Sequence, residues 1–180
     1  MIGPHYLDDA RQQFKKLKTQ GDRAMAQIAD ANFFRTPDSE SNSVAIILKH
    51  VAGNMRSRWT DFLTTDGEKP DRNRDGEFLV ESGDTRQRLM EQWEAGWKLL
   101  LDTLTALTPE HLERSVRVRG EAHTVLEAIN RQMTHYAAHI GQIVYLAKHW
   151  AGSQWRTLSI PRGKSKEFEV AKDGARYHVR

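Results

Sequence analysis

The sequence predicts an all-α fold, a four-helix bundle within one domain. Two observations predict it. Apolar residues recur with the 3.6-residue period of an amphipathic helix in four long segments, and a longer crossover lies in the middle. The chain has 180 residues, of which 28% are charged and 38% hydrophobic. Such a length and composition are typical of a globular protein with a single hydrophobic core.

The first two predicted helices are separated by a turn. The first helix is about 25 residues long, with an apolar stripe that reaches Ile28, and the turn at 32–42 ends it. Either Asn42 or Ser43 can cap the second helix, because short polar side chains accept hydrogen bonds from the free N–H groups of a helix start. The stripe of the second helix comprises Val44, Ile47, Leu48, Val51, Met55, Trp59 and Phe62.

A polar loop and a third helix follow. Residues 66–84 contain turn dipeptides in a charged context, which predicts a loop. The third helix runs from about Thr85 to Leu107, and Pro109 breaks it. Residues 115–124 alternate weakly between apolar and polar side chains, so a small hairpin and an extended link both stay open.

The fourth helix has a clear start signal. Thr124 is followed three residues later by Glu127, the pattern of a capping box. The helix is expected to end near Ala151 and Gly152, so the bundle is expected to occupy residues 1–152. Its apolar stripe comprises Val125, Leu126, Ile129, Met133, Tyr136, Ile140, Ile143, Val144 and Ala147.

Residues 153–180 form a basic tail, which is expected to be extended or partly disordered. Trp155, Leu158 and Ile160 in this tail could dock on the bundle or on a second subunit. Of 27 Lys and Arg residues and 24 Asp and Glu residues, seven basic and three acidic ones follow residue 155. The positive net charge therefore belongs to the tail. No helix carries the clustered basic face that nucleic-acid binding requires, so no nucleic-acid partner is expected.

The composition excludes further classes of protein. There is no cysteine, which excludes disulfides, thiolate metal ligands and a cysteine nucleophile. The longest stretch without formal charge, residues 132–147, is shorter than the ~20 apolar residues of a membrane-spanning helix. No apolar leader opens the chain. We therefore expect a cytoplasmic protein without a membrane partner.

Three histidines are the strongest candidates for a functional site. His135 and His139 are four residues apart on the fourth predicted helix, so both can reach one metal ion. His50, on the second helix, also flanks the apolar stripe of its helix. Flanking positions of neighbouring helices can converge beside the core, where bundles build metal sites. A pair with this spacing also occurs at the edge of ordinary cores, so the residues alone leave both interpretations open.

The segments around these histidines match a known pattern. They read Leu48-Lys49-His50-Val51-Ala52-Gly53-Asn54 on the second helix, and His135-Tyr136-Ala137-Ala138-His139 followed by Ile140-Gly141-Gln142-Ile143 on the last. With them the chain resembles the DinB-like superfamily of four-helix bundles, of the DinB/YfiT type. Residues 53–62 and 158–163 are similar to one bacterial subfamily of unknown function within it. The resemblance covers about residues 6–165.

The resemblance implies an up-down-down-up bundle, expected to be a homodimer, in which three histidines bind a divalent metal ion. On this chain the implied ligands are His50, His135 and His139. Imidazole ligands suit zinc, nickel or iron. Characterised members of the superfamily use the metal in transferase or isomerase reactions that depend on low-molecular-weight thiols.

Two functions from different classes follow. The first is a candidate metal-dependent transferase, which transfers a small thiol to an electrophilic small molecule or isomerises it. Because the chain has no cysteine, the thiol has to arrive with the substrate. The alternative is a non-catalytic, dimeric binding or stress-response bundle, in which the histidines are vestigial or hold a structural ion.

Polar residues near His50 are secondary candidates. Asn54 lies one turn further along the helix and could line a substrate pocket or form a hydrogen bond between helices. Arg58 could bind an anionic substrate or pair with Asp61. The charged loop at 66–78 could cover the site or be merely solvated.

Overall fold

The fold is mostly helical, as predicted, and carries one small sheet. The structure is a computed structural model that describes residues 2–167. Within that range lie five α-helices and a two-stranded antiparallel sheet that precedes the last helix. The helices are α1 (Ile2–Met25), α2 (Asp30–Phe34), α3 (Val44–Trp59), α4 (Arg86–Ala106) and α5 (Val125–Ala151), and the strands are β1 (Ser115–Val118) and β2 (Glu121–Thr124).

The three predicted helix starts are confirmed by their side-chain caps. Ser43 caps α3 by accepting a hydrogen bond from the backbone N–H of Ile46, so it is the cap rather than Asn42. Thr85 caps α4 in the same way. Thr124 and Glu127 form the predicted capping box of α5. These interactions lie within four residues of the chain, which is why the sequence discloses them.

The turn predicted at 32–42 is partly wrong, because α2 occupies its first residues. Phe33 in α2 is fully buried, and its ring centroid lies 5.2 Å from that of Phe34. The Arg86 guanidinium lies over the Phe33 ring, 5.0 Å from its centroid. Burial of the Phe33 ring thus stabilises a short helix in a segment whose polar residues predicted a turn.

The link before α5 is a hairpin, which decides between the two predicted alternatives. Val118 in β1 pairs with Glu121 in β2, and the two residues between them have positive φ, 57° at Arg119 and 77° at Gly120. Two central residues with positive φ make the tight turn that suits the twist of a two-residue hairpin.

The core lies where the long helices pack together. α3 packs against α4 and α5, and α1 packs against α5 and α4. Aromatic side chains from all four helices meet there with ring centroids 5.4 to 6.4 Å apart. The members of this fully buried group are Phe14, Trp59, Trp93, Trp97 and Tyr136.

The first part of the basic tail packs on the helices. Trp155 and Leu158 are partly buried against the core, whereas Ile160 is 37% exposed. The Gln27 side chain forms hydrogen bonds with both backbone groups of Arg156. The remaining predicted tail, residues 168–180, lies outside the described residues. Among the helices of residues 2–167, none combines the length and hydrophobicity that a membrane crossing requires.

Two helical glycines predict opposite responses to alanine. A Cβ at Gly21 would lie 3.0 Å from Ile140 and 3.1 Å from the Trp93 ring, which is fixed by a hydrogen bond to Asp22. A Cβ at Gly141 would meet nothing within 4 Å. We expect Gly141→Ala to raise the free energy of unfolding by about 0.5–1 kcal/mol, because alanine favours the helix.

Gly21→Ala gains the same helix propensity but overpacks the contact between α1, α4 and α5. Its free energy of unfolding is therefore expected to fall about 1–3 kcal/mol below that of Gly141→Ala. Urea unfolding of both variants measures the difference. Equal stabilisation by the two substitutions would contradict this account of the helix contact.

Candidate metal centre

Three histidine side chains converge between α3 and α5. The Nε2 atom of His135 lies 3.3 Å from Nε2 of His50 and 3.1 Å from Nε2 of His139. One nitrogen from each ring lies within 4.8 Å of the others, close enough for all three to hold one metal ion. His50 is buried, and the other two side chains are half-buried. The structure thus brings together the three histidines that the sequence singled out.

Glu77 fixes the proton of His50. The Nδ1 atom of His50 lies 2.9 Å from Oε2 of Glu77, and an ionised carboxylate can only accept a hydrogen bond. Nδ1 therefore carries the ring proton, which leaves the lone pair of Nε2 directed at the other histidines. Metal-ligating histidines commonly have such a carboxylate partner, because it orients the ring and raises its basicity.

Arg72 keeps Glu77 ionised. Burial raises the pKa of Glu77, but hydrogen bonds from His50 and Arg72 outweigh this effect and leave the pKa below its ordinary value. Arg72 donates one hydrogen bond from Nε and one from an Nη to the two carboxylate oxygens, and each hydrogen bond is 2.8 Å long. Gly53 makes room for the pair, since a Cβ at this position would overlap the Glu77 carboxylate.

Gln142 fixes the proton of His139. Nδ1 of His139 lies 2.8 Å from the amide oxygen Oε1 of Gln142, one turn further along α5. Because that oxygen only accepts, Nδ1 of His139 donates and its Nε2 again presents a lone pair. Nδ1 of His135 is buried and has no hydrogen-bond partner among the described residues.

The environment favours neutral imidazoles. Burial, together with the nearby His139 and His50, lowers the pKa of His135 to about 3. Burial also lowers the pKa of His139, and His50 adds to this, while the Gln142 hydrogen bond opposes it. Neutral imidazole is the form that binds metal ions.

These residues fit a divalent metal ion. At least two of three converging Nε2 atoms present lone pairs, and a cation between them would relieve their repulsion. A set of three imidazoles suits zinc, nickel and iron, which the sequence also predicted.

A cavity of about 210 Å³ adjoins the cluster. Its lining includes His50, His135, Asn54 and Gln132. Asn54 forms the hydrogen bond between helices that was one of its two predicted roles, and it also lies at the cavity. Its Oδ1 accepts a hydrogen bond of 2.9 Å from the Tyr136 hydroxyl on α5, and the residue borders the cavity.

Arg58 is paired, but not with Asp61. Its guanidinium donates to the backbone oxygen of Gly67 and forms an ion pair of 2.9 Å with Glu68. The side chain is only 5% exposed and does not line the cavity. The expected pairing with Asp61 is therefore wrong. α3 ends at Trp59 and Asp61 has a φ of 47°, so the helical spacing on which that pairing depends no longer applies.

The loop at 66–78 is part of the site and not merely solvated. It contributes Glu77 and Arg72, whose side chains are 8% and 3% exposed. Neither residue was predicted from the sequence. Glu77 lies 27 positions after His50, and no local pattern in a charged loop indicates which carboxylate will be buried. Gln142 could have been found, because it lies three residues after His139 on the same helix.

The fold and the site together define the class of this protein. It is a helical protein with a candidate metal centre of three histidines. The chain belongs to the family described as "Protein of unknown function (DUF1572)", whose model matches residues 1–164. That family is a member of the DinB-like superfamily, which confirms the predicted resemblance at this level. The narrower DinB/YfiT type stays a prediction. A search of curated proteins found no match.

The lowered pKa of His135 predicts an acid-sensitive stability in metal-free protein. The unfolded chain takes up a proton at its ordinary pKa of 6.5, whereas the folded chain resists protonation down to about 3. Unfolding therefore binds a proton within this window, and stability falls as the pH falls from 6.5 towards 3. We expect His135→Gln to reduce this dependence in urea unfolding with a chelator present.

His5→Gln is the matched control, because His5 is exposed near the N-terminus. It should keep the pH dependence of the wild type. An identical dependence in His135→Gln and the wild type would show that His135 does not resist protonation in the folded protein.

Proposed function

We propose that this protein binds a divalent metal ion through His50, His135 and His139, and uses it in a thiol-dependent transfer to, or isomerisation of, a small electrophile. The convergence of the three Nε2 atoms is the observation that carries the metal proposal. The thiol chemistry is supported by membership of the DinB-like superfamily.

We also propose that α1, α3, α4 and α5 form a four-helix bundle with up-down-down-up connectivity. Contacts along the helices support this arrangement. Tyr6 contacts Asn130, and a Cβ at Gly21 would contact Ile140, as expected for α1 parallel to α5. The contacts Lys49–Asp84 and Trp59–Thr103 are those of α3 parallel to α4.

The remaining helix pairs support antiparallel packing. In α1, Arg11 contacts the backbone of Leu104, while Lys18 contacts Glu94 earlier in α4. The cluster would then lie between α3 and α5, two antiparallel helices whose facing side chains are held at a fixed separation by the core.

The proposed ion would supply Lewis-acid chemistry, which lowers the pKa of a thiol or water bound to it. The residues of the chain do the rest. Glu77 and Gln142 hold the ring protons of His50 and His139 on Nδ1, so that both Nε2 atoms are free. Asn54 borders the adjoining cavity, where it could orient a substrate.

Since the chain lacks cysteine, a reacting thiol has to come from a co-substrate. The cavity beside His50 and His135 adjoins the cluster and is lined by polar groups. A small thiol bound there would have its sulfur next to the histidines.

Elemental analysis of protein incubated with zinc, nickel or iron tests the metal proposal. We expect a near-stoichiometric ion in the wild type and its loss in His50→Ala and in His139→Ala. His5→Ala should retain it. Full metal content in either cluster variant would show that the ligand assignment is wrong.

Glu77→Gln tests how the second layer of residues supports the metal. A neutral amide accepts the His50 N–H hydrogen bond more weakly than a carboxylate and raises the basicity of the ring less, so we expect metal affinity to fall roughly 10- to 100-fold in a competition assay with a chelator. Glu113→Gln is the matched control, because Glu113 is exposed and forms no ion pair among residues 2–167. Equal affinities of the two variants would contradict the proposed role of Glu77.

Turnover tests the chemistry separately. Metal-loaded wild type should consume a small thiol and an electrophile such as monochlorobimane, and His50→Ala should not do so above the uncatalysed rate. Stoichiometric metal without turnover over a panel of thiols and electrophiles would favour the non-catalytic binding protein.

A further inference from the structure

The cavity beside the histidine cluster is basic. Four arginines line it, namely Arg72, Arg74, Arg119 and Arg131. None of its lining residues is acidic. A concave site with several cations and no anion in its wall attracts negatively charged ligands.

Two of these arginines form ion pairs with carboxylates of the protein. Arg72 pairs with Glu77, and Arg119 pairs with Glu68 over 2.9 Å. Arg74 and Arg131 form no ion pair within residues 2–167. Their charges are therefore available to a ligand.

Both available arginines lie close to the cluster. Arg131 precedes His135 by one turn of α5, so the two residues lie on the same face of that helix. The Arg74 guanidinium lies over the ring of Phe78, 5.3 Å from its centroid. The Phe78 ring is in turn 4.8 Å from the His50 ring, so Arg74 is held beside the cluster by a cation–π contact.

A buried amide adds a second polar feature to the cavity wall. Gln132 is only 3% exposed, and its Oε1 has no hydrogen-bond partner among the described residues. A buried polar atom without a partner destabilises the protein. A ligand with an N–H or O–H group could satisfy it, which an apolar ligand could not.

We infer that this cavity binds the acidic group of a small anionic substrate through Arg74 and Arg131, while the rest of the substrate extends to His50 and His135. The acidic group is a carboxylate or a phosphate, because the planar guanidinium donates paired hydrogen bonds to either. The placement of the reacting end of the substrate at the histidines depends on the proposed function, whereas the anion site is inferred from the arginines alone. Arg74 and Arg131, rather than the predicted Arg58, would thus bind the anion.

Isothermal titration calorimetry tests the inference, with succinate and inorganic phosphate as the anionic probes and dimethyl succinate as the neutral one. The samples are the wild type, Arg74→Gln, Arg131→Gln and the double variant, each with its metal content measured. Arg23→Gln is the control, because Arg23 is exposed on α1 and forms no ion pair among residues 2–167.

We expect the wild type and Arg23→Gln to bind at least one anionic probe, and each cavity variant to bind it roughly tenfold more weakly at unchanged metal content. The probe that binds more tightly identifies the acidic group. If the protein takes up no metal but still binds an anion in a way that depends on the two arginines, the anion site is supported and only the metal proposal is contradicted. Failure of the wild type to bind either anion, equal affinity in the double variant, or equal binding of dimethyl succinate would overturn the inference.

Discussion

The buried ion pair between Glu77 and Arg72 is the interaction on which the geometry of the candidate metal centre depends. A carboxyl group buried alone would favour its neutral form, and a neutral carboxyl group could donate a proton to His50 instead of accepting one. The two hydrogen bonds from Arg72 keep Glu77 ionised. Arg72 therefore determines, through Glu77, which ring nitrogen of His50 carries the proton. The same contact requires glycine at position 53, because any side chain there would occupy the space of the carboxylate.

The pair belongs to a larger network that fixes the loop to the rest of the protein. Arg72 also contacts Glu68, which binds Arg58 at the end of α3 and Arg119 in the hairpin. Burial raises the pKa of Glu68, but the hydrogen bonds from Arg119 and Arg58 have the larger effect and lower the pKa to about 2. The carboxylate of Asp66 accepts hydrogen bonds from two backbone N–H groups of the hairpin turn. Buried ion pairs add little net stability compared with apolar packing, but their directional hydrogen bonds specify one arrangement. Here that arrangement holds the hairpin, the loop and α3 in fixed positions around the histidines.

The sequence predicted those features that depend on neighbouring residues. The caps at Ser43, Thr85 and Thr124 are local, and so is the helical period that places each histidine beside an apolar stripe. Features that depend on distant contacts were not accessible. His50 and His135 are 85 positions apart, so helical periodicity could assign each to a face, and only the family resemblance joined them. The ion pair of Glu77 with Arg72 depends on how the loop folds, and the loop carries no local signal of its position.

The arginines around the cavity connect the two proposed sites. Besides burial and the neighbouring histidines, the charges of Arg58 and Arg131 lower the pKa of His135. These positive charges keep the imidazole neutral, but they also repel a metal ion, and Glu77 offsets only part of that repulsion. An anion bound at Arg74 and Arg131 would offset more of it. By linkage, an anion that strengthens metal binding is itself bound more strongly when the metal is present. The charge distribution of the cavity therefore favours joint binding of a cation at the histidines and an anion at the arginines.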